Sequence, residues 1–255
     1  MRDLPLARER AARLDVVAES GSTNAELRSH TDDAEAWPHL SVLLTDNQTA
    51  GRGRLDRTWL APAGSALAIS VLLRALPATP TARGWIPLLA GVAMADAIAA
   101  QLPEQRVAVK WPNDVLVDDH KICGILAEAG GDAVVVGAGV NTAMTVEQLP
   151  VPTATSFAIV GVTVDDDRLL ADYLRQLDLR LAALTETDDA VASGLHAAAT
   201  QRCATLGRRV RISLPGGRSL EALATALDAD GRLLVESDGA EHAISAGDVV
   251  HVRSA

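Results

Sequence analysis

Three arginines, Arg52, Arg54 and Arg57, fall within six positions of the segment Gln48-Thr-Ala-Gly-Arg-Gly-Arg-Leu-Asp-Arg-Thr-Trp59, in a chain whose formal net charge is −10. A guanidinium is a planar fork of donors that grips carboxylate or phosphate oxygens in pairs. Gly51 and Gly53 alternate with the first two arginines. Glycine's free φ keeps such a segment pliable and lets its backbone N–H groups approach a ligand. The segment reads as a mobile loop that closes over an anionic small molecule, against the plainer reading of a solvated basic loop.

A second cluster is Lys110-Trp-Pro-Asn-Asp114, followed by Lys121-Ile-Cys-Gly-Ile-Leu126. Proline fixes its own φ and biases Trp111 towards an extended conformation, which predicts a tight turn after a strand ending at Lys110. Asp118-Asp119-His120 reads as a hairpin turn that brings Lys110 and Lys121 together on adjacent strands. The two ammonium groups then face one anionic ligand, and Gly124 leaves room for a ring or chain against the backbone. Asp114 is placed either to accept a proton or to cap the turn after Pro112. A third patch, Gly137-Ala-Gly-Val-Asn141, ends a strand at two glycines and by itself reads as no more than a bend.

The elements around these motifs are mixed α and β. Strands are predicted at 14–18, 41–45, 65–73, 106–110, 114–117, 121–129 and 133–140, the later ones joined by short turns and so antiparallel. Thr23 and Glu26 have the spacing of a capping box, which predicts a helix from Thr23 towards His30. Helices are also predicted at 85–102, at 165–184 with Tyr173 and leucines 169, 170, 174, 177, 181 and 184 on one face, and around 189–200. Beyond Leu206 come five short apolar runs, 208–214, 220–227, 233–235, 240–244 and 249–252. Pro215-Gly216-Gly217, Asp230-Gly231, Asp238-Gly239 and Gly247-Asp248 separate them as turns. The chain divides into residues 1–204, carrying the motifs, and a small β domain, 205–255.

The 255 residues are 48% hydrophobic and 22% charged, an ordinary globular profile, but only 2% aromatic, so Leu, Val, Ile and Ala must pack the core. With 23 basic against 33 acidic residues the chain is a poor candidate for non-specific nucleic-acid binding, which needs a broad basic face. Cys123 and Cys203 have no metal-like spacing, and no signal peptide or spanning segment is read. The expectation is a soluble cytoplasmic protein with no nucleic-acid or membrane partner, and the histidines carry no role.

Taken together the motifs resemble the biotin protein ligases. The match is carried by Ser22-Thr23-Asn24, Gln48 with Gly51-Arg-Gly-Arg54 and Trp59, Lys110-Trp-Pro-Asn-Asp114, Lys121 with Gly124-Ile-Leu126, and Gly137-x-Gly-x-Asn141, in the family's order. The resemblance implies an α/β catalytic domain around a mixed sheet and an SH3-like β-barrel at the C-terminus. It implies an ATP-dependent ligase that makes biotinyl-5′-AMP and transfers biotin to a lysine of a carrier domain in acetyl-CoA, acyl-CoA or pyruvate carboxylase. A lipoate or octanoate ligase or transferase of the same superfamily is the alternative. ATP and Mg²⁺ would be co-substrates, biotin the substrate, with no tightly bound cofactor, and the enzyme a monomer or weak homodimer.

By the same resemblance, Lys121 hydrogen-bonds the biotin carboxylate and the bridging α-phosphate oxygen, and Arg54 and Asp114 complete the catalytic set. Ser22, Thr23, Asn24, Gln48, Gly51, Arg52 and Gly124 would hold biotin. Arg54, Arg57, Trp59, Lys110, Asn113 and Asn141 would hold ATP, with Asn113 also on Mg²⁺. Trp59 is either an apolar wall beside the nucleotide or an anchor for the loop. The chain departs from its relatives at Asp56, where they often carry glycine, and at Cys123, read as a buried inert thiol. The 21 residues before Ser22 are too few for the DNA-binding domain of bifunctional relatives, so a repressor role is not expected.

Overall fold

Every side chain from Ala66 to Leu73 is buried, which explains why this run shows no alternation of apolar and polar positions. It lies in the middle of a sheet with matter on both faces. The computed structural model describes residues 3–54, 57–213, 219–245 and 248–252. Asp56, Leu214, the 215–217 turn and Gly247 therefore lie outside the described residues.

In chain order the elements are α1 (Pro5–Arg8), β1 (Arg13–Val16), α2 (Thr23–Arg28), β2 (Ser41–Thr45), β3 (Gly51–Arg52), β4 (Thr58–Trp59) and β5 (Ala66–Leu73). Then come α3 (Pro80–Arg83), α4 (Ile86–Ala99), β6 (Val107–Lys110), β7 (Asp114–Val117), β8 (His120–Gly130) and β9 (Ala133–Asn141). After α5 (Asp166–Thr187) and α6 (Leu195–Arg202), the chain ends in β10 (Arg209–Ser213), β11 (Ser219–Leu227), β12 (Leu233–Ser237), β13 (Ala240–Ile244) and β14 (Asp248–His251).

Seven strands form one mixed sheet in the order β1-β2-β5-β9-β8-β7-β6. Only β1 and β2 pair parallel; the other pairs are antiparallel, those from β6 to β9 because short turns join them. One face packs on α4 and α5, and its side chains (Ile69, Val71, Val136, Ala138, Ile125) join the main core. On α5 the leucines at 169, 170, 174, 177, 181 and 184 are buried together with Tyr173, as the periodicity predicts. Pro80–Ala99 is apolar enough by length and composition to cross a membrane, but 72% of it is buried inside the fold.

The opposite face of the sheet is lined with small residues, and register explains how. Ala68 pairs with Gly139, Gly139 with Gly124, Gly124 with Asp114 and Asp114 with Lys110, so these five side-chain positions form one row across the sheet. The neighbouring row is Ser70, Gly137 and Leu126. Gly137 and Gly139 are thus paired residues inside β9 rather than a bend that ends it.

Helix α2 begins at Thr23 as predicted, but Thr23 is not its cap. Ser22 is the N-cap, accepting from Ala25 N at 3.4 Å, and Thr23 is already helical. Glu26 accepts from Ser20 Oγ at 2.8 Å instead of closing a capping box. That frees the Thr23 hydroxyl for the interior.

The C-terminal strands form an antiparallel sheet, β13-β12-β11-β10-β14. Two tryptophans pin it to the larger unit: Trp85 Nε1 donates to Ala229 O and Trp111 Nε1 to Gly231 O, each at 3.0 Å. The backbone N–H of Trp111, which precedes a cis proline, donates to Thr205 Oγ1 at 3.0 Å. The middle of the Lys-Trp-Pro-Asn-Asp motif is therefore a docking point for the small domain.

Candidate active site

The small-residue face opens into a cavity of about 330 Å³ whose lining includes Ser22, Thr23, Asn24, Gln48, Arg52, Arg54, Arg57, Trp59, Asn113, Asp114, Lys121, Gly124 and Asn141. That is the size of a small-molecule site. Two residues expected there, Gly51 and Lys110, are not in its lining. A Cβ at Gly51 would collide with the Gln48 amide and the Trp59 carbonyl, so this glycine serves the close crossing of the loop's two arms. Lys110 stands behind Asp114, its Nζ 3.7 Å from Oδ2.

On the α2 side the cavity is walled by neutral oxygens. Thr23 N donates to Gln48 Oε1 at 2.9 Å and Thr23 Oγ1 to the same oxygen at 3.0 Å. Ser70 Oγ lies 2.8 Å from Thr23 Oγ1 and 2.6 Å from Asn24 Oδ1. Asn24 Nδ2 donates to Leu126 O and to Glu128 Oε2. Asn24, Ser70, Thr23 and Gln48 thus form a chain of oxygens in which three contacts share the protons of only two hydroxyls. Such a wall calls for a ligand that donates hydrogen bonds. Asn24, expected to contact the ligand, lines the cavity and also braces this chain, and a Cβ at Gly137 would strike it.

The arginine segment is a small hairpin. Gly51 pairs with Trp59 and Arg52 with Thr58, and Gly53 N donates to Arg57 O at 2.6 Å. Its base is tied down by Thr49 N to Ser20 O and Ala50 N to Gly21 O. Arg54 Nη1 donates to Asn113 Oδ1 at 3.0 Å. The Trp59 indole lies against Gly139, where a Cβ would come within 2.6 Å of its ring. Trp59 therefore both lines the cavity and anchors the hairpin, combining the two readings of it.

Across the sheet the site becomes cationic. Lys121 Nζ pairs with Asp114 Oδ1 at 2.6 Å. The two lysines do not stand on adjacent strands as expected: β7 runs between them, and the Asp114 carboxylate bridges both. Gly124 does leave space, but the Lys121 side chain fills it, since a Cβ there would lie 3.0 Å from Nζ. Among the described residues the lining holds four cations, Arg52, Arg54, Arg57 and Lys121, against one carboxylate, Asp114. In a partly dry cavity these cations are worth far more to an anion than they are in water.

The backbone of Lys121 is itself fixed from outside the sheet, donating to Thr153 O and accepting from Thr155 N, each at 2.8 Å. Asn141 Nδ2 donates to Thr155 O at 2.9 Å. The sequence reading missed this wall, which adds Met144, Pro150, Val151 and Ala154 to the lining. It has no periodicity, and the Pro150-Val-Pro152 turn was its one signal. Cys123 is buried in the core, where burial pushes its thiol pKa far up and keeps it unreactive, as expected.

A protein-held Mg²⁺ at Asn113 does not fit. Its Oδ1 faces the Arg54 guanidinium and its Nδ2 donates to Ile125 O at 2.6 Å. A cation would meet a cation there, and Mg²⁺ favours carboxylates and phosphate oxygens. Among the described residues no group of three His, Cys, Asp or Glu side chains could hold a metal.

Residues 17–141 match the Biotin/lipoate A/B protein ligase family and residues 205–252 the Biotin protein ligase C terminal domain. The chain is 39% identical, over 94% of its length and 89% of the other's, to a Biotin--[acetyl-CoA-carboxylase] ligase of Mycobacterium tuberculosis. It is 31% identical, over 92% and 98%, to a protein of the same name in Paracoccus denitrificans. Among solved structures, the biotin protein ligase from Aquifex aeolicus in complex with biotin and ATP superposes with a TM-score of 0.78 at 25% identity, covering 95% of this chain and 100% of that one.

Proposed function

The chain belongs to the biotin protein ligase family, and we propose that it activates biotin with ATP and transfers the biotinyl group to a lysine of a carboxyl carrier domain. One observation carries this reading: a single cavity joins a donor-poor wall of neutral oxygens to a cluster of four cations. A ureido ring brings N–H donors to the first, and carboxylate and phosphates meet the second. A dithiolane ring has no N–H to offer, which disfavours lipoate.

In the first step an oxygen of the biotin carboxylate bonds to the α-phosphorus of ATP, and the bond from that phosphorus to the bridging oxygen breaks, releasing pyrophosphate. Two anions must approach, and fixed cations relieve their repulsion. Lys121 sits at the carboxylate and α-phosphate oxygens, steadied by Asp114, with Lys110 behind. Arg54 and Arg57 take phosphate oxygens, Arg52 covers the biotin side, and Asn141 meets the adenylate. ATP brings its Mg²⁺ with it as substrate.

In the second step a deprotonated lysine amine of the carrier attacks the acyl carbon, an amide forms and AMP leaves. Asp114 remains our candidate to accept the amine's proton, although its two oxygens already serve two lysines. Meanwhile the hairpin keeps water from the mixed anhydride. We place the enzyme in the cytoplasm as a monomer or weak homodimer, acting on acetyl-CoA, acyl-CoA or pyruvate carboxylase, without nucleic-acid or membrane partners.

The test combines purified protein, MgATP, a carboxyl carrier domain and either biotin or lipoate, read by intact mass. Addition of one biotinyl group to the carrier is expected. Modification by lipoate alone overturns the reading.

A further inference from the structure

Glu128, on β8, is outside the cavity lining, yet it touches the far end of the oxygen chain. Its carboxylate is divided: Oε1 accepts from Arg28 Nη1 and Oε2 from Asn24 Nδ2, both at 2.8 Å. Asn24 Nδ2 also donates to Leu126 O at 3.2 Å. Two acceptors on one side fix the sense of the Asn24 amide, so its oxygen must face Ser70 Oγ, 2.6 Å away. At the other end Gln48 Oε1 is held by the helix N–H of Thr23. Both ends of the chain are therefore pure acceptors, and the hydroxyls of Ser70 and Thr23 cannot supply all three contacts between them.

We infer that Glu128 is a positioning residue which, by holding the Asn24 amide in this sense, keeps the buried chain one hydrogen short, so that the Thr23 hydroxyl can yield Gln48 Oε1 to a ligand N–H without loss. A ligand N–H donating to Gln48 Oε1 lets the Thr23 hydroxyl turn to Ser70, so the chain holds two protonated contacts before and after, and the ligand bond is added to them. The ligand's hydrogen bond is thus gained without another being given up. This deepens the proposed function and rests on it, since the ureido ring is the donor.

Replacing Glu128 by glutamine separates this role from mere support. The Arg28 guanidinium claims the single oxygen of the new amide, leaving its amino group towards Asn24. Asn24 then flips, giving up the longer Leu126 contact, and donates to Ser70. Ser70 donates to Thr23 and Thr23 to Gln48, so every contact has its proton and Gln48 Oε1, already accepting from Thr23 N, can take a ligand N–H only by breaking one.

Titration calorimetry with biotin and thermal melts of E128Q, R28M and the double variant test this. E128Q should bind biotin roughly tenfold more weakly, the worth of about one hydrogen bond, while melting at or above the wild-type temperature. R28M should bind as wild type does. In R28M/E128Q the glutamine oxygen is free to turn back to Asn24, and affinity should recover. An E128Q protein that binds as tightly as wild type, or that loses stability and affinity together without recovery in the double variant, overturns the inference. Failure of the wild type itself to bind biotin would overturn the proposed function instead.

Discussion

Arg54 Nη1 and Asn113 Oδ1 are joined by a 3.0 Å hydrogen bond that latches the arginine hairpin onto the turn before β7. Asn113 is held in turn by Ile125 O, so the latch ends on the rigid sheet. Closure of the site therefore depends on a contact between two segments 59 residues apart in the chain.

Arg54→Gly should loosen this closure. A hydrogen bond to a charged group contributes about 1.5–3 kcal/mol, so the intermediate should escape roughly ten to a hundred times faster. Adenylate should still form, and lysines on bystander proteins should become labelled. In wild type, biotin and ATP together should protect Arg52, Arg54 and Arg57 from trypsin. Unchanged cleavage with ligands, and a variant that keeps its intermediate, would show that the hairpin is no lid.

Lys121→Ala removes the ammonium paired with Asp114. Loss of one such electrostatic donor should lower the rate on the order of a hundredfold or more. Pyrophosphate release and carrier labelling should fall together, measured in parallel on a variant whose melting temperature is checked. Near-normal pyrophosphate release would assign Lys121 to the surface of the hairpin.

Gly139→Ala places a methyl group within 2.6–2.9 Å of the Trp59 ring, which must lift. Overpacking of this kind costs about 1–3 kcal/mol, felt here by the hairpin rather than by the core. Faster trypsin cleavage at the hairpin and a raised KM for ATP are expected. Gly124→Ala should be milder, because it meets the flexible end of Lys121, 3.0 Å away at Nζ. Equal sensitivity of the two would argue against the packing account.

His251 links the small domain to the Lys-Trp-Pro-Asn-Asp motif: its Nε2 is 3.1 Å from the Thr205 hydroxyl that receives the Trp111 N–H. Burial lowers its pKa to about 4, helped by Lys110, Arg208 and Arg106 and opposed by Asp119. The unfolded chain binds this proton near pH 6.5, so the folded state loses stability as pH falls from about 6.5 towards 4. His251→Gln should therefore lose less melting temperature than wild type between pH 7 and 4.5. Parallel pH curves for the two proteins would sink this assignment.

Much of the site was legible in the sequence because type and spacing carry the chemistry. Arg52, Arg54, Arg57, Lys121 and Asn141 all reach the cavity. What the sequence misjudged were relations across strands. Lys110 and Lys121 were read as neighbours, but a strand and a shared carboxylate separate them. Gly124 and Gly139 were read as space and as a bend, but Gly124 admits the Lys121 side chain of its own strand and Gly139 the Trp59 ring of the hairpin. The Thr23 cap failed for a similar reason, since Ser22 caps the helix and tertiary partners claim the Thr23 hydroxyl.

The sequence by itself determined the longer helices and strands, the apolar face of α5 and the set of charged groups, because periodicity and residue chemistry are local properties; the short α1, β3, β4 and α3 were not among them. It determined the family through motifs that needed no geometry to read. Only the tertiary structure decided which oxygen accepts from which hydrogen, that Trp59 lies on Gly139, and that Trp111 serves the domain junction. Those outcomes depend on sheet register, which brings into contact residues far apart in the chain and leaves each buried polar group only the partners that its neighbours allow.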